Sequence, residues 1–273
     1  DLHSFPTRRS SDLSLQYYDK MDTIVPVSKE LDTILREGLP QYNQKYRIIY
    51  DILNPQLLKQ QAKATIEEST LFEKNTVLVT TGRVVFQKNH LLAVEAANIL
   101  RNKGLKFKWL FMGDGEYRSI VEKRIHEYHL EDIVILLGER TNPYPYMSRC
   151  TVYVQTSSFE GFGLTIAEAK ILGRAVVSTN FDVVHDQLKH EENGLIAEMT
   201  AESVADNIMR MLTDETLRNK IMENVAKEEN LTYLTEAGYA ENIFDEDGSL
   251  TKNDNNMIKH NVSQIPDCYG CGV

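Results

Sequence analysis

A chain of 273 residues, 42% of them hydrophobic, can build one large packed domain or two ordinary ones. Its 40 acidic and 30 basic residues give a formal net charge of −10, which excludes a general nucleic-acid binder relying on a basic face to neutralise phosphates. No apolar run approaches the roughly 20 residues of a membrane span, the first residues lack the apolar core of a secretory signal, and three cysteines give no disulfide framework, so a reducing cytoplasm is expected.

Residues 1–13, DLHSFPTRRSSDL, have no hydrophobic period and resemble a translated sequencing adapter; they are read as a non-native leader, with the true N-terminal portion expected to be missing. DTIVPVS (22–28) reads as a short strand, with Ser28 capping a helix KELDTILREG that ends at Gly38. KYRIIYDIL (45–53) reads as another strand, followed by a helix from Pro55 to about Lys63 and a polar connector EESTLFEKN (67–75). Beyond it the alternation is regular. Strands are expected at TVLVTTGR (76–83), KFKWLFMGDG (106–115), DIVILLG (132–138), CTVYVQTSS (150–158), AVVSTN (175–180) and NGLIAE (193–198). Helices are expected at 89–104, with Leu92, Ala96 and Ile99 on one face, at 116–130, near 144–149, at 164–173 with Gly173 as a left-handed cap, and over 201–214 and 215–230.

Nearly continuous apolar strands alternating with helices predict an α/β fold, a Rossmann-like parallel sheet with helices on both faces. Ligands of such sheets bind beyond the carboxyl ends of the strands, which directs attention to Gly82-Arg83, Gly113-Asp114-Gly115, Gly138-Glu139-Arg140 and Ser157 to Gly163. The tail differs: residues 241–273 are read as a polar linker ending in DCYGCGV. There the C-x2-C spacing of Cys268 and Cys271 opens the expectation of an iron–sulfur domain beginning beside a chain cut at its end. A chance pair in a polar tail is the plainer alternative, since two ligands cannot hold a cluster that needs four.

Arg83 leaves a strand end and Lys88 follows it beside a helix N-terminus, an arrangement that suits a diphosphate. In SFEGFGLTIAEA (158–169), Glu160 precedes a glycine turn at Gly161 and Gly163, and Glu168 lies one turn into the next helix, where a carboxylate can accept two hydrogen bonds from a sugar diol. Taken singly, each residue is also what an ordinary solvated loop or helix end would carry.

Taken together, EGFGLTIAE with its E-x7-E spacing, GR…QK upstream, GDGEYR between and NGLIAE following resemble the retaining GT-B glycosyltransferases of bacterial polysaccharide synthesis, the glycosyl transferases group 1, over roughly residues 20–230. The resemblance implies a donor-binding domain at 53–240 and, at 14–52, a remnant of an amino-terminal acceptor domain. It also implies transfer of a sugar from a nucleotide diphosphate sugar to a glycan or lipid-linked acceptor hydroxyl, with retained configuration. By motif, Arg83 and Lys88, with Gly82 beside them, would hold the diphosphate; Glu168 would bind the ribose; Glu160 would lie near the donor sugar with the backbone of Gly161, Phe162, Gly163 and Leu164. Arg140 and Asn142 lie where the base, by family habit uridine, is expected. No cofactor and no metal are expected, because the cations and a helix N-terminus can stabilise the leaving diphosphate. Nor does the sequence place an Asp-x-Asp at a strand end or a ligand-spaced histidine cluster. Nucleic acid is not expected as a partner, whereas peripheral membrane association of the full-length protein is.

The sequence departs from the family's pattern at its start. The glycine-rich loop and the histidine of the first domain have no counterpart, His3 lying in the leader, so the fragment alone is expected to bind nucleotide weakly and to transfer nothing. Two other classes compete. A nicotinamide dehydrogenase would need G-x-G-x-x-G after its first strand, and GDGEYR carries only the first two glycines. A non-catalytic nucleotide-sugar binding module would keep the helix N-termini but has no need of both glutamates and both cations.

Overall fold

In the computed structural model six segments pair into one parallel sheet, and the residues it describes are 17–49 and 53–228. The strands are β1 (Thr76–Thr81), β2 (Phe107–Met112), β3 (Val134–Gly138), β4 (Val152–Gln155), β5 (Ala175–Thr179) and β6 (Leu195–Ala197), ordered β3-β2-β1-β4-β5-β6. The order reverses between β1 and β4: one half of the sheet grows outward from β1 and the other from β4. Such a reversal opens a crevice between neighbouring strand ends.

Nine α-helices accompany the strands among the described residues: α1 (Lys29–Gly38), α2 (Pro55–Gln61), α3 (Ser69–Lys74), α4 (His90–Asn102), α5 (Arg118–Glu127), α6 (Tyr144–Met147), α7 (Leu164–Ile171), α8 (Ala201–Thr213) and α9 (Glu215–Glu228). Alternating strand side chains divide the core. Leu78, Trp109, Phe111, Val154 and Val177 pack with residues of α4, α5, α8 and α9, whereas Val77, Val79, Leu110, Tyr153 and Val176 pack with residues of α2, α6 and α7. Burying apolar area on both faces is the main favourable term for a sheet of this kind. Cys150, 1% exposed, belongs to the second cluster, and burial pushes its thiol up to about 12.

The predicted strands of the sheet appear with ends trimmed by a few residues, as do the long helices. Ser28 caps α1, its side chain accepting from the Leu31 N–H. Gly173 has φ 65°, as a left-handed residue after α7. Two expectations need correction. The strands at 22–28 and 45–53 shrink, within the described residues, to one isolated bridge between Ile24 and Tyr46. Their apolar residues serve a small separate cluster of Ile24, Tyr42 and Tyr46 rather than a sheet edge. The connector at 67–75 contains the short helix α3, which packs beside β1. On α5, Val121 and Ile125 are buried, whereas Ile120 is 46% exposed. Residues 1–13, the tail at 241–273 and the pair Cys268 and Cys271 lie outside the described residues. No described helix is long and apolar enough to cross a membrane.

Candidate functional site

The turns after β1, β2 and β3 are stitched to one another. The Gly82 N–H donates to Met112 O at 2.9 Å, the Gly113 N–H to Gly138 O at 2.9 Å, and the Val84 N–H to Asp114 O at 2.9 Å. Gly113 has φ 134°, and a Cβ there would lie 2.0 Å from Gly82 O, so only glycine allows the two turns to cross. This fixes the loop carrying Arg83 and leads it into a 3-10 turn, Phe86–Lys88, just before α4.

Across the sheet reversal, the loop after β4 meets that turn. The Ser158 N–H donates to Gln87 O at 2.8 Å, and Thr156 Oγ1 donates to Lys88 O at 3.2 Å and Asn89 O at 3.1 Å. Glu160 and Lys88, 72 positions apart, are thereby brought into an ion pair, Nζ to Oε1 at 2.7 Å, with side chains 8% and 18% exposed. The same Oε1 also accepts from Ser157 Oγ at 2.6 Å and from Gln155 Nε2 at 2.8 Å. The other oxygen, Oε2, has among the described residues only a long hydrogen bond of 3.5 Å from Gln87 Nε2. Glu160 is therefore no surface loop acid: one oxygen is saturated and the other is held open.

Gly163, with φ 84°, is the residue before α7 and offers no side-chain cap, so the first N–H groups of the helix depend on other partners. The carbonyls of Phe162 and Gly163 are gripped from behind by Gln187 Nε2, the latter at 3.1 Å. One turn along α7, Glu168 accepts from the Tyr144 hydroxyl at 2.9 Å through Oε1. Burial raises the Glu168 carboxyl above the usual range, against the Tyr144 hydrogen bond and the nearby Lys88 charge. Burial and the Glu168 carboxylate together raise the Tyr144 phenol. Lys88 thus acts electrostatically on both glutamates.

Arg83 is exposed, and none of the described residues gives its guanidinium a hydrogen bond or ion pair, which leaves it available to an anion. Arg140 and Asn142 are already committed. The Arg140 guanidinium reaches Tyr146 Oη at 3.4 Å, Leu137 O at 2.5 Å and Glu68 Oε1 at 3.0 Å. Burial opposes the charge on Glu68, yet the Tyr146 and Arg140 hydrogen bonds hold its carboxyl below the usual range. Asn142 donates to Gln61 O at 2.9 Å and accepts from the Tyr144 N–H at 3.2 Å. These two residues shape the turn that presents Tyr144, and among the described residues neither makes a hydrogen bond or ion pair with Lys88, Glu160 or Glu168.

Ser157 lies in the stretch that the sequence marks after β4, though with no role given to it, whereas Gln155, Tyr144 and Gln187 are not singled out from the sequence. Gln155 carried a signal, as a long polar side chain closing an otherwise apolar strand; the others are ordinary until the fold joins distant segments. The expectation that no histidines cluster also needs correction. His126, His129 and Glu131 bring ligand atoms within 4.8 Å of one another on the exposed end of α5, where His129 takes φ 52° and His126 Nδ1 lies 3.2 Å from Glu131 Oε1.

Comparison with known proteins shows the family and the fold. The sequence profile described as "Glycosyl transferases group 1" matches residues 61–228. The chain is 31% identical over 212 residues to the N-acetylgalactosamine-N,N'-diacetylbacillosaminyl-diphospho-undecaprenol 4-alpha-N-acetylgalactosaminyltransferase of Campylobacter jejuni, covering 77% of this chain and 56% of that protein. It is 29% identical over 174 residues to the poly(ribitol-phosphate) alpha-N-acetylglucosaminyltransferase of Staphylococcus aureus, covering 61% of this chain and 34% of that protein. Among solved structures, Anabaena HepE in complex with UDP and glucose superposes with a TM-score of 0.75 at 17% identity, over 86% of this chain and 66% of that one. The chain spans from about a third to just over half the length of these curated relatives.

Proposed function

The chain belongs to the glycosyl transferases group 1 family, and from that premise we propose that it is the donor-binding part of a GT-B enzyme. That enzyme moves a sugar from a uridine diphosphate sugar to a hydroxyl of a glycan or lipid-linked acceptor, with retention at the anomeric carbon. The observation that carries the reading is the crevice at the β1/β4 reversal, where Lys88, Glu160 and the N-terminus of α7 meet.

The chemical task is to stabilise a departing diphosphate while the sugar develops oxocarbenium character. Arg83 supplies a bidentate fork, Lys88 a point charge, and the free N–H groups at the start of α7 a fixed dipole, all aimed where negative charge accumulates. Together they perform the neutralisation that a divalent cation performs in other transferases, so the reaction is metal-independent. Glu168, held by Tyr144 through one oxygen, has the other for the ribose hydroxyls. Glu160, pinned through Oε1, turns Oε2 toward a donor sugar hydroxyl. When the diphosphate arrives it competes with Glu160 for Lys88, which changes one ion pair into a shared one. Acceptor binding is left to the other domain of the enzyme, so this chain alone binds nucleotide without transferring sugar. The full-length enzyme works in the cytoplasm, peripherally on the membrane that carries a lipid-linked acceptor.

Calorimetric titration with UDP, GDP, ADP and NAD tests the reading. UDP is expected to bind, with Arg83→Ala and Glu168→Ala each weakening it by roughly tenfold, the scale of one hydrogen bond to a charged group. Equal binding of all four, or binding of UDP indifferent to both substitutions, would refute it.

A further inference from the structure

We propose that Gln155 is a positioning residue that holds Glu160 against the donor sugar and ties it to the start of α7 through Thr165; this rests on the nucleotide-sugar reading of the site. Gln155 is the last residue of β4 and is 3% exposed. Its amide is used at both ends: Nε2 donates to Glu160 Oε1 at 2.8 Å, and Oε1 accepts from Thr165 Oγ1 at 2.5 Å. Ser157, wholly buried, completes the grip, receiving from Gln155 Nε2 at 3.3 Å and donating to Glu160 Oε1 at 2.6 Å.

The orientation of the amide is fixed by chemistry. A carboxylate only accepts, so the NH2 end must face Glu160, and a hydroxyl donor must then serve the carbonyl end. Thr165 in the first turn of α7 meets that need. The strut thus spans from the strand end, through the carboxylate that precedes the glycine turn, to the helix whose N-terminus faces the diphosphate. A buried polar side chain at the end of a hydrophobic strand would be costly unless fully paired, and this one is paired only by site elements.

Lys88 makes the strut necessary. Of the three donors on Glu160 Oε1, Lys88 is the one that an arriving diphosphate attracts away. Gln155 and Ser157 are neutral and buried, and they remain. Without Gln155 the carboxylate would lose its aim at the moment its ion pair loosens. The diphosphate contacts, made by Arg83, Lys88 and backbone N–H groups, would be untouched.

The test is the ratio of UDP affinity to UDP-sugar affinity in the full chain, measured calorimetrically with UDP-glucose, UDP-N-acetylglucosamine and UDP-N-acetylgalactosamine and read on whichever binds best. Gln155→Met, close in shape but without the amide, is expected to leave UDP binding within about twofold and to weaken the UDP-sugar by roughly tenfold. Thr165→Val should shift the ratio the same way by a smaller factor, Thr165→Ser should keep it, and the double variant Gln155→Met/Thr165→Val should be no worse than Gln155→Met alone. Glu160→Gln is the reference that must itself move the ratio. An unchanged ratio in Gln155→Met beside a shifted one in Glu160→Gln overturns the strut. An unchanged ratio in both, or no UDP binding by the parent chain, overturns the nucleotide-sugar reading beneath it.

Discussion

At the scale of single residues, a buried histidine and a partly buried glutamate near the crevice set opposite pH dependences. His90, 2% exposed at the start of α4, has no hydrogen-bond partner on either ring nitrogen among the described residues and lies edge-on to Phe111, ring centroids 5.1 Å apart. Burial, with the Lys88 charge adding to it, pushes its imidazole down to about 4. The unfolded chain then binds the proton more tightly, so stability is full above about 6.5 and is lost as pH falls toward 4, by on the order of 3 kcal/mol. In His90→Leu the drop in urea midpoint between pH 7 and pH 5 should shrink markedly; an undiminished drop would contradict the assignment. Glu168 has the opposite sign, because burial raises its carboxyl in the fold. Its contribution is most favourable at low pH and is lost as pH rises from the ordinary carboxylate range through the raised value. Glu168→Gln is therefore expected to raise the neutral-pH Tm by on the order of 2 °C while weakening UDP, a trade of stability against recognition. A lower Tm in that variant would count against it.

At the scale of elements, the turns separate glycines that matter from one that does not. Gly113→Ala would force a Cβ against the Gly82 carbonyl at 2.0 Å and is expected to cost more than about 4 kcal/mol, or to prevent folding. Gly38, in the last turn of α1 with nothing within 4 Å of its Cβ direction, is the control: Gly38→Ala should stabilise by about 0.5–1 kcal/mol in chemical unfolding. The strands of the sheet were legible in the sequence because they are buried on both faces and so read as apolar runs. Helix α3 was not, since its six residues, STLFEK, are too few to show a period. The segments around Ile24 and Tyr46 misled for the reverse reason: apolar and β-branched, they meet in a single bridge and bury their side chains among tyrosines. In the site, Glu160, Lys88, Arg83 and Glu168 stood out by type and spacing, and the ion pair across 72 positions brings the first two together. Arg140 and Asn142 stood out by their place in the turn after β3, and the hydrogen bonds to Glu68 and Gln61 that hold them there come from segments that folding brings in. Sequence spacing does not report which carbonyl an amide side chain will find.

At the scale of the whole molecule, the first described segment is docked onto the sheet domain rather than trailing from it. Asp186, in the 3-10 turn Asp182–Asp186, accepts from the Glu30 N–H at 3.1 Å, so α1 has a second cap supplied from a distant part of the chain. Val27 lies within van der Waals reach, 3.7 Å, of where a Cβ on Gly161 would stand. The glycine turn of the site is therefore packed against a segment more than a hundred residues earlier. Asp186→Ala should speed amide hydrogen exchange in α1 by roughly tenfold and leave β1 and β2 unchanged; uniform acceleration would mean that α1 opens only with the whole domain.

Cys150 gives this cohesion a clock. A thiol that is 1% exposed and pushed up to about 12 has almost no thiolate at neutral pH and no path to a reagent, so the native chain is silent to alkylation at that position. Labelling of the peptide that carries it can proceed only while the packing beside β4 is open. Its rate, followed by mass spectrometry against reagent concentration, reads how often the core cluster at the start of β4 comes apart.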